Sequence, residues 1–591
     1  MAFLSDTAGL RLISQIFDVK NKTVPLLPHY VQKPHVFLPR ENVQPLPRCS
    51  AAKAGISAEH LRAYLAEMQK ELSETDLHTL MVAKDGKVVL RHENAPYSCD
   101  IPSAVYSFSK TVTALAVGLL LDDGLLSLED KPLQLLGLQN SGSLFSRAHR
   151  VTVRHLLTMT SGATFAESGA ATSSSWAESF FTAPFKTEPG SVFDYNSMNS
   201  YILAAVVCRL TGHSMCTLLE ERLFSKMGIT NYYWERDREG IEKGGWGLYL
   251  STEDMLKIGQ LYLNSGKWQG EQLVSSEYIA LSTARHVQDK NENGGYAYGF
   301  QLWPHKDGDS FLFSGLFGQY TIVYPESGIV VACTAGCNTL FQNNAIVRTT
   351  NRYFAAPVPD AKQDGILSQL KLHRACGKSR IIAANSKRAA QPTLASLLWP
   401  RCAKPFSHAD ILPQLAAENG VGLLPLMLQL MQNNYTSGLQ RIQLQKQGAL
   451  MRIAFCEAEQ THTLYAGIGR WIYGELSFRG ERYLTAARCR FAKNEDGIPV
   501  LTAELRFPEG ANSRTLKFLL CEKGALQLQF AENPGAGFVQ QFWQMASATV
   551  AERPLTGRLL MPFLEKLPIL AASHAYCPQF TARFAEDTKT E

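Results

Sequence analysis

The segment Ser107–Lys110, which reads SFSK, opens an almost wholly apolar run that continues to Leu121. A run without a polar face predicts a helix that is buried nearly all round, and Gly124 is a fitting C′ residue for its end. Residues i and i+3 share one helix face, with their Cβ atoms roughly 5 to 6 Å apart. The spacing therefore predicts that the Lys110 amine reaches the Ser107 hydroxyl where a buried helix begins.

A hydroxyl beside an amine is the arrangement of a serine nucleophile with a lysine base. The alternative for Lys110 is a solvated first-turn lysine, which the apolar run disfavours. To accept a proton at neutral pH, the lysine pKa must fall by about 3 units, at a free-energy cost of roughly 4 kcal/mol. Burial and the positive end of the helix dipole both lower it. The same S-x-x-K pattern recurs at Ser50–Lys53 and Ser368–Lys371, but no buried helix follows either one.

Length and composition restrict the class of protein. A chain of 591 residues is expected to form two or three domains. A net charge of +5 is too weak to predict a nucleic-acid partner. The 12 cysteines are scattered singly and the histidines show no ligand spacing, so we expect no disulfide framework, no metal and no cofactor. The longest apolar stretch is too short for a membrane span, and no signal peptide is recognised, which favours a cytoplasmic protein. The oligomeric state is not predictable.

The pattern of periodic segments predicts four regions. Residues 1–51 form a Pro-rich arm, residues 52–355 an α+β catalytic domain, residues 356–417 a basic linker, and residues 418–591 a β-rich domain. In the second region a helix and a hairpin precede the Ser107 helix, and four strand-like runs lie between residues 296 and 334, which we expect to join the hairpin in one antiparallel sheet flanked by helices. The last region contains about eight short strand-like runs, typical of an antiparallel barrel or sandwich.

Two further segments carry groups that an S-x-x-K hydrolase needs. Tyr195 lies on a loop that enters a predicted helix, where its phenol is a candidate second proton carrier. Gly315 precedes a predicted strand and lets backbone approach a ligand closely. For Tyr195 alone, the alternative is a half-buried structural tyrosine.

With these segments the chain resembles the serine β-lactamase and penicillin-binding-protein superfamily, on its class C and esterase-like side. The resemblance covers roughly residues 52–355. The motifs that carry it follow one another along the chain in the family's order: Ser107-x-x-Lys110, the stretch Val151–Gly162, Tyr195-x-Ser197, Gly244-Gly-Trp246 followed by Ser251–Asp254, and Gly315-x-x-Gly-Gln319. The resemblance implies a β-lactamase-like fold with a helical subdomain beside the sheet.

The resemblance also implies roles for individual residues. Ser107 would be the acylated nucleophile, Lys110 its base, and Tyr195 the phenol that passes a proton to the leaving group. The oxyanion hole would consist of the backbone N–H groups of Ser107 and Leu316. Candidate substrate-pocket residues come from the same motifs: Ser197, Asn199, Trp246, Phe313, Ser314 and Gly315. Trp246 has core packing as its alternative, and Asn199 a local hydrogen bond.

Two departures from the family pattern bear on the substrate. Ser197 stands where β-lactamases have the Asn of Tyr-x-Asn, and Phe313-Ser-Gly315 stands where they have Lys-Thr-Gly. Without that lysine, the carboxylate of a β-lactam would lack a counter-charge in a closed site. The sequence is more similar to the family's esterases and 6-aminohexanoate-oligomer amidases, which predicts a small-molecule ester or amide substrate.

Three functional hypotheses follow. The first is a metal-free serine hydrolase that works through an acyl-enzyme on Ser107. The second is a catalytically silent relative whose cleft only binds. The third is a true β-lactamase or D-Ala-D-Ala peptidase. The presence of Ser107, Lys110 and Tyr195 together favours catalysis, because a protein that only binds has no need of a buried amine.

Overall fold

The structure is a computed structural model that describes residues 28–40, 42–70, 75–139, 146–170, 173–287, 295–339, 344–360, 365–416, 419–521, 525–535 and 577–585. Packing divides this part of the chain into two units. The first consists of residues 39–378, and the second of residues 28–38 and 379–585. Residues 1–27 of the expected Pro-rich arm lie outside the described residues. Each unit has a hydrophobic core of its own.

The first unit contains strands that include both the early hairpin and the late strand-like runs. They are β1 (Leu77–Lys84), β2 (Lys87–Glu93), β3 (Ser103–Ala104), β4 (Tyr233–Trp234), β5 (Leu248–Leu250), β6 (Lys267–Trp268), β7 (Glu271–Gln272), β8 (Trp303–Pro304), β9 (Phe311–Gly315), β10 (Gln319–Tyr324) and β11 (Ile329–Ala335). Six of them form an antiparallel sheet in the order β2-β1-β11-β10-β9-β8. The expected pairing of the early hairpin with the terminal strands is confirmed.

Helices supply the rest of the first unit. They are α1 (Ala58–Lys70), α2 (Ser109–Asp122), α3 (Pro132–Leu135), α4 (Val153–Leu157), α5 (Glu167–Ala170), α6 (Trp176–Thr182), α7 (Met198–Thr211), α8 (Met215–Leu219), α9 (Ser225–Met227), α10 (Thr252–Leu263), α11 (Ser276–Thr283), α12 (Ala345–Phe354) and α13 (Ile366–Ala375). Every residue of α2 from Ser109 to Leu120 is buried, and Gly124 after it adopts a φ of 68°. The prediction of a helix that is buried nearly all round is confirmed.

A small three-stranded sheet holds the start of α2 in place. Its strand order is β3-β5-β4, and Ser103 pairs with Leu250. Beyond β3, the backbone N–H of Val105 donates to the carbonyl of Leu248 (2.9 Å). Strand β5 leads directly into α10, whose N-cap Ser251 accepts from the backbone N–H of Asp254. The turn before α2 is therefore anchored to strand β5, in the interior of the unit.

The second unit is a β-barrel. Its helices are α14 (Lys387–Ala390), α15 (Leu394–Leu397) and α16 (Leu426–Gln432), and its strands are β12 (His408–Pro413), β13 (Leu439–Gln447), β14 (Leu450–Glu457), β15 (Thr461–Ile468), β16 (Ile472–Phe478), β17 (Glu481–Lys493), β18 (Pro499–Arg506), β19 (Ser513–Leu520), β20 (Leu526–Asn533) and β21 (Gln579–Phe584). The order is β15-β14-β13-β12-β21-β20-β19-β18-β17-β16. A parallel pairing of Gly467–Ile468 with Arg488–Cys489 closes β15 onto β17, so nine strands form the barrel wall and β16 pairs outside it with β17.

The units divide the chain differently from the predicted boundaries. The segment 356–417, expected to be a basic linker, is shared between the two units. Its first part contains α13, which packs against α1 and buries Leu372, and its last part enters the barrel as β12. The cations of this segment that the structure describes lie on exposed faces, while Leu372, Ala403 and Phe406 are buried. Charge content alone did not reveal this packing.

No single helix within the described residues is long and apolar enough to cross a bilayer. Among the described helices, one consecutive pair, Met198–Thr211 and Met215–Met227, is long and apolar enough when the two are taken together, but they are bent by 76° relative to each other.

Candidate active site

Ser107 lies in a tight turn directly before α2. The turn, Tyr106–Phe108, is a single 3₁₀ turn, and Ser107 is partly exposed between two buried aromatic neighbours. Tyr106 adopts a φ of 47°, a left-handed conformation that non-glycine residues rarely take and that is common at functional sites. The hydroxyl of Ser109 donates to the carbonyl of Tyr106 (2.6 Å) and holds the turn. The Ser107 hydroxyl is thus fixed at an accessible point.

The Lys110 amine reaches Ser107 as its spacing predicted. Its Nζ donates to Ser107 Oγ (2.9 Å) and to the carbonyl of Gly245 (2.8 Å), and the side chain is only 1% exposed. Burial lowers the pKa of Lys110 from 10.5 to about 7, because the charged amine loses its hydration. The Glu167 carboxylate acts in the opposite direction and raises the lysine pKa. A large fraction of Lys110 is therefore neutral at physiological pH and able to accept a proton.

Tyr195 meets the same two residues. Its phenol is close enough to Ser107 for that side chain to lower the phenol pKa, and Lys110 Nζ lies 4.9 Å from the centre of its ring. The ring stacks on Trp303 of β8, with the ring centres 5.9 Å apart. Burial raises the pKa of the Tyr195 phenol well above its usual value near 10. The phenol therefore stays protonated at neutral pH, where it can donate a proton but cannot serve as the resting base.

The end of β9 lies beside the Ser107 turn. A Cβ on Gly315 would lie 2.1 Å from the carbonyl oxygen of Val105, so only glycine permits this approach of the two backbones. On the other side of Leu316, the ring of Phe317 packs edge-on against Tyr106 (5.2 Å between centres). Both neighbours of Leu316 thus contact residues just before Ser107. This arrangement brings close together the two backbone segments to which the family resemblance assigns an oxyanion hole.

Residues around Gly245 form the floor beneath the lysine. The backbone of Ser197 packs so closely on Gly245 that a Cβ there would lie 2.7 Å from the Ser197 Cβ. Trp246 is half-buried and stacks on Trp176, with the ring centres 5.7 Å apart. Asn199 is wholly buried and donates through Nδ2 to the sulfur of Met159 (3.3 Å). Ser197 and Trp246 lie next to Gly245, whose carbonyl accepts the hydrogen bond from Lys110 Nζ. Asn199, in contrast, is buried in the interior and lines no accessible surface.

Phe313 also differs from its predicted position in the substrate pocket. Its side chain is 0% exposed and packs in the core against Phe108, Phe311 and Tyr262, with ring centres between 4.8 and 5.8 Å apart. Strand alternation places Phe311 and Phe313 on the same face of β9, while Ser314, the residue after Phe313, is half-exposed. The prediction that Phe313 lines the pocket is therefore corrected: the residue is a core residue beneath the site, and Ser314 is the member of this segment that ligands can reach.

Glu167 and the Gly245 carbonyl were not found from the sequence. Glu167 lies on the short helix α5, is half-buried, and accepts the backbone N–H of Ser197 through Oε1 (3.2 Å). It is close enough to raise the pKa of both Lys110 and Tyr195. It lies 28 positions before Tyr195 in a segment without a recognisable pattern, so no local sequence signal identifies it. The Gly244-Gly-Trp246 motif did mark the region of the carbonyl, but not its role as an acceptor.

Several solved structures are similar to this chain at low identity. A penicillin-binding protein from Bacillus halodurans is 20% identical, and the match covers 49% of this chain and 99% of that one, with a TM-score of 0.39. A family VIII carboxylesterase is 17% identical, with coverages of 56% and 99% and a TM-score of 0.41. An octameric penicillin-binding protein homologue from Pyrococcus abyssi is 17% identical, with coverages of 76% and 98% and a TM-score of 0.41.

Sequence comparison matches the chain to one relative and to one family model. An uncharacterized protein of Alkalihalophilus pseudofirmus is 22% identical over 259 residues, which is 38% of this chain and 71% of the relative. The family model described as Beta-lactamase matches residues 73–349, a range that contains Ser107, Lys110 and Tyr195. The resemblance to the serine β-lactamase and penicillin-binding-protein superfamily is therefore confirmed by the family match over residues 73–349.

Proposed function

We propose that this protein is a serine hydrolase that cleaves small ester or amide bonds through an acyl-enzyme on Ser107. The match of residues 73–349 to the Beta-lactamase family model supports a serine hydrolase in general. The observation that carries the specific proposal is the buried Lys110 amine, which donates to Ser107 Oγ at 2.9 Å and has a pKa lowered to about 7. A lysine that is neutral at physiological pH and in hydrogen-bond contact with a hydroxyl meets the requirements of a general base.

The acylation step follows from these contacts. Ser107 Oγ attacks the substrate carbonyl carbon, and its proton moves to Lys110 Nζ. The carbonyl oxygen becomes an oxyanion, for which the backbone N–H groups of Ser107 and Leu316 are the proposed donors. As the tetrahedral intermediate collapses, Tyr195 gives its proton to the leaving alcohol or amine and takes one back from Lys110. The raised phenol pKa supports this order, because a protonated tyrosine is a donor at the start.

Deacylation uses the same groups in reverse. A water molecule attacks the ester carbon of the acyl-enzyme, and its proton passes to the neutral Lys110 amine. The bond to Ser107 Oγ breaks, the acid is released, and the serine recovers a proton from the lysine. Every proton taken up in one step is returned in the next, so the cycle needs no further reactant besides water.

The charges near the site support an uncharged acyl group. The position at which β-lactamases carry the lysine of Lys-Thr-Gly holds Phe313, which is buried among aromatic rings. The carboxylate of Glu167 is near Lys110 and Tyr195 and would repel an anionic substrate. Both features disfavour a β-lactam carboxylate and favour a neutral ester or amide.

Hydrolysis of p-nitrophenyl butyrate and of nitrocefin, measured side by side, tests the proposal. We expect faster turnover of the ester, and loss of that turnover in Ser107→Ala by a factor of about 10³ or more. Ser368→Ala is the matched control, because it removes the serine of another S-x-x-K pattern and should leave the rate unchanged. Faster nitrocefin turnover would favour the β-lactamase alternative. Absence of Ser107-dependent turnover of either substrate would favour the silent binding protein.

A further inference from the structure

The short helix α15 in the barrel unit carries its apolar side chains on the solvent side. Leu394, Leu397 and Leu398 are 73%, 70% and 68% exposed, whereas Ser396 between them is buried. We call Leu394, Leu397 and Leu398 the leucine patch. A helix on a soluble surface normally has the opposite arrangement, with leucine inside and serine outside. Contiguous exposed aliphatic side chains of this kind mark an interaction site.

Polar contacts fix this orientation. Thr393 caps the helix together with Ser396 in a reciprocal capping box, and its hydroxyl also donates to the carbonyl of Ile468 (2.6 Å). Just before the helix, the Arg470 guanidinium donates to the carbonyls of Ala389 and Gln391 (2.5 Å each). The leucine patch is thus held outward by the segment between β15 and β16 at residues 468–470 through several hydrogen bonds. Its exposure is a feature of the packed unit.

Positive charge flanks the patch on both sides. Lys387 and Arg388 precede it, Arg401 and Lys404 follow it, and all four are exposed. Residues 379–409 contain no Asp or Glu. The indole of Trp399, next to the patch, is half-buried, and Lys446 Nζ from β13 lies 6.0 Å from its ring centre. Exposed leucines and a tryptophan, flanked by cations in a segment of the sequence without acidic residues, are the combination found on proteins that lie on a membrane surface.

We propose that the leucine patch docks this protein onto an anionic lipid surface, with the leucines entering the acyl region and the flanking cations meeting the headgroup phosphates. Charge decides between possible occupants. If a second copy of this chain covered the leucine patch, the cationic side chains flanking the two patches would repel each other. An anionic bilayer satisfies both the apolar and the cationic features, and peripheral attachment of this type needs two such signals acting together. The proposal is independent of the chemistry at Ser107.

Co-sedimentation of the full chain with phosphatidylcholine vesicles, with and without phosphatidylserine, tests the proposal. We expect binding to the anionic vesicles at about 0.1 M salt and much weaker binding at about 0.5 M. Replacing all three leucines by serine should weaken it by about tenfold or more, and Lys387→Gln/Arg388→Gln should weaken it by several-fold. The matched control Val43→Ser/Leu125→Ser/Val192→Ser removes three exposed aliphatic residues elsewhere and should bind like the wild type.

A second measurement reports the patch directly. Cys402 is the exposed cysteine of the twelve and lies four positions after Leu398, so an environment-sensitive dye can be attached there. Its emission should shift to the blue with anionic vesicles and not with neutral ones. The proposal is overturned if the wild type does not bind anionic vesicles, or if the variant with all three leucines replaced by serine binds them as well as the wild type does. It is also overturned if sedimentation velocity shows a dimer that the leucine substitutions abolish, because a second copy would then be the occupant.

Discussion

Lys110 is buried at a cost in stability, and the cost depends on pH. Its folded-state pKa of about 7 lies below the unfolded value near 10.5, so between these pH values only the unfolded chain holds the proton. Stability therefore rises with pH across this window, and the full penalty applies at pH 7 and below. The penalty has an upper bound of about 5 kcal/mol.

We expect Lys110→Met to abolish activity and to raise the free energy of unfolding at pH 7 by a few kcal/mol, within that bound of about 5 kcal/mol. The advantage of the variant should narrow as the pH approaches 10.5, where the lysine is also neutral in the unfolded chain. Denaturant unfolding at several pH values measures both effects. Lys53→Met replaces the exposed lysine of another S-x-x-K pattern, and it should change neither the activity nor the free energy of unfolding at pH 7. A variant no more stable than the wild type at pH 7 would refute this account of the lysine.

Glu167 tunes the same lysine from outside the predicted motifs. Its carboxylate raises the pKa of Lys110, so Glu167→Gln should lower that pKa further. Activity requires neutral Lys110, and we therefore expect the acid limb of the kcat/KM profile to move to lower pH, by up to about one unit. Glu178→Gln, on the exposed face of α6, is the control and should leave the limb in place. Movement of the limb to higher pH would contradict the assignment of Lys110 as the base.

At the scale of single elements, β9 shows how a strand next to the site can be core rather than pocket. Phe313→Lys would insert an amine among Phe108, Phe311 and Tyr262. We expect a loss of about 3 to 5 kcal/mol in unfolding free energy, against about 1 to 2 kcal/mol for Phe313→Leu, and no gain in nitrocefin turnover. Thermal melting and a nitrocefin assay measure these effects. A Phe313→Lys variant that melts like the wild type would show that the side chain is not locked in the core.

The local sequence pattern was enough to predict most helices and strands. It failed where the formation of a strand depends on contacts with residues distant in the sequence. The eight strand-like runs after Tyr435 correspond to β13–β20, because alternating burial leaves a period of two. Strands β12 and β21 were missed, since each is an isolated short segment defined only by its partners. Of the four strand-like runs expected between residues 296 and 334, the first, Tyr296 to Trp303, is wrong as a strand: the structure has a strand there only at Trp303–Pro304, and Gln301 adopts a φ of 61°, which breaks the extended chain.

The candidate site follows the same rule. The meeting of Ser107 and Lys110 was predictable because both lie within one helical turn. Tyr195 was predictable only through a family resemblance, because the fold brings it from 85 positions further along the chain. Glu167 comes from a segment with no pattern at all. Phe313 was assigned to the pocket because its position in the family motif was known, while its orientation depends on the strand in three dimensions.

At the scale of the whole molecule, two units with separate cores share one chain. Since each buries its own apolar residues, we expect calorimetry to resolve two unfolding transitions. Covalent labelling of Ser107 should shift only the transition of residues 39–378, because a bound group stabilises the unit that holds it. Urea titration with tryptic cleavage at each stage assigns the transitions. A single transition that moves as a whole on labelling would show that the units unfold as one.

The central claim is that Ser107 is made nucleophilic by a neutral Lys110 amine. Intact-mass measurement of fluorophosphonate labelling as a function of pH tests it most directly. We predict one adduct per chain, absent in Ser107→Ala and retained in Ser368→Ala, forming at a rate that rises with pH and reaches half its maximum near pH 7. An adduct that persists in Ser107→Ala, or a wild-type chain that stays unlabelled at every pH, would contradict the claim.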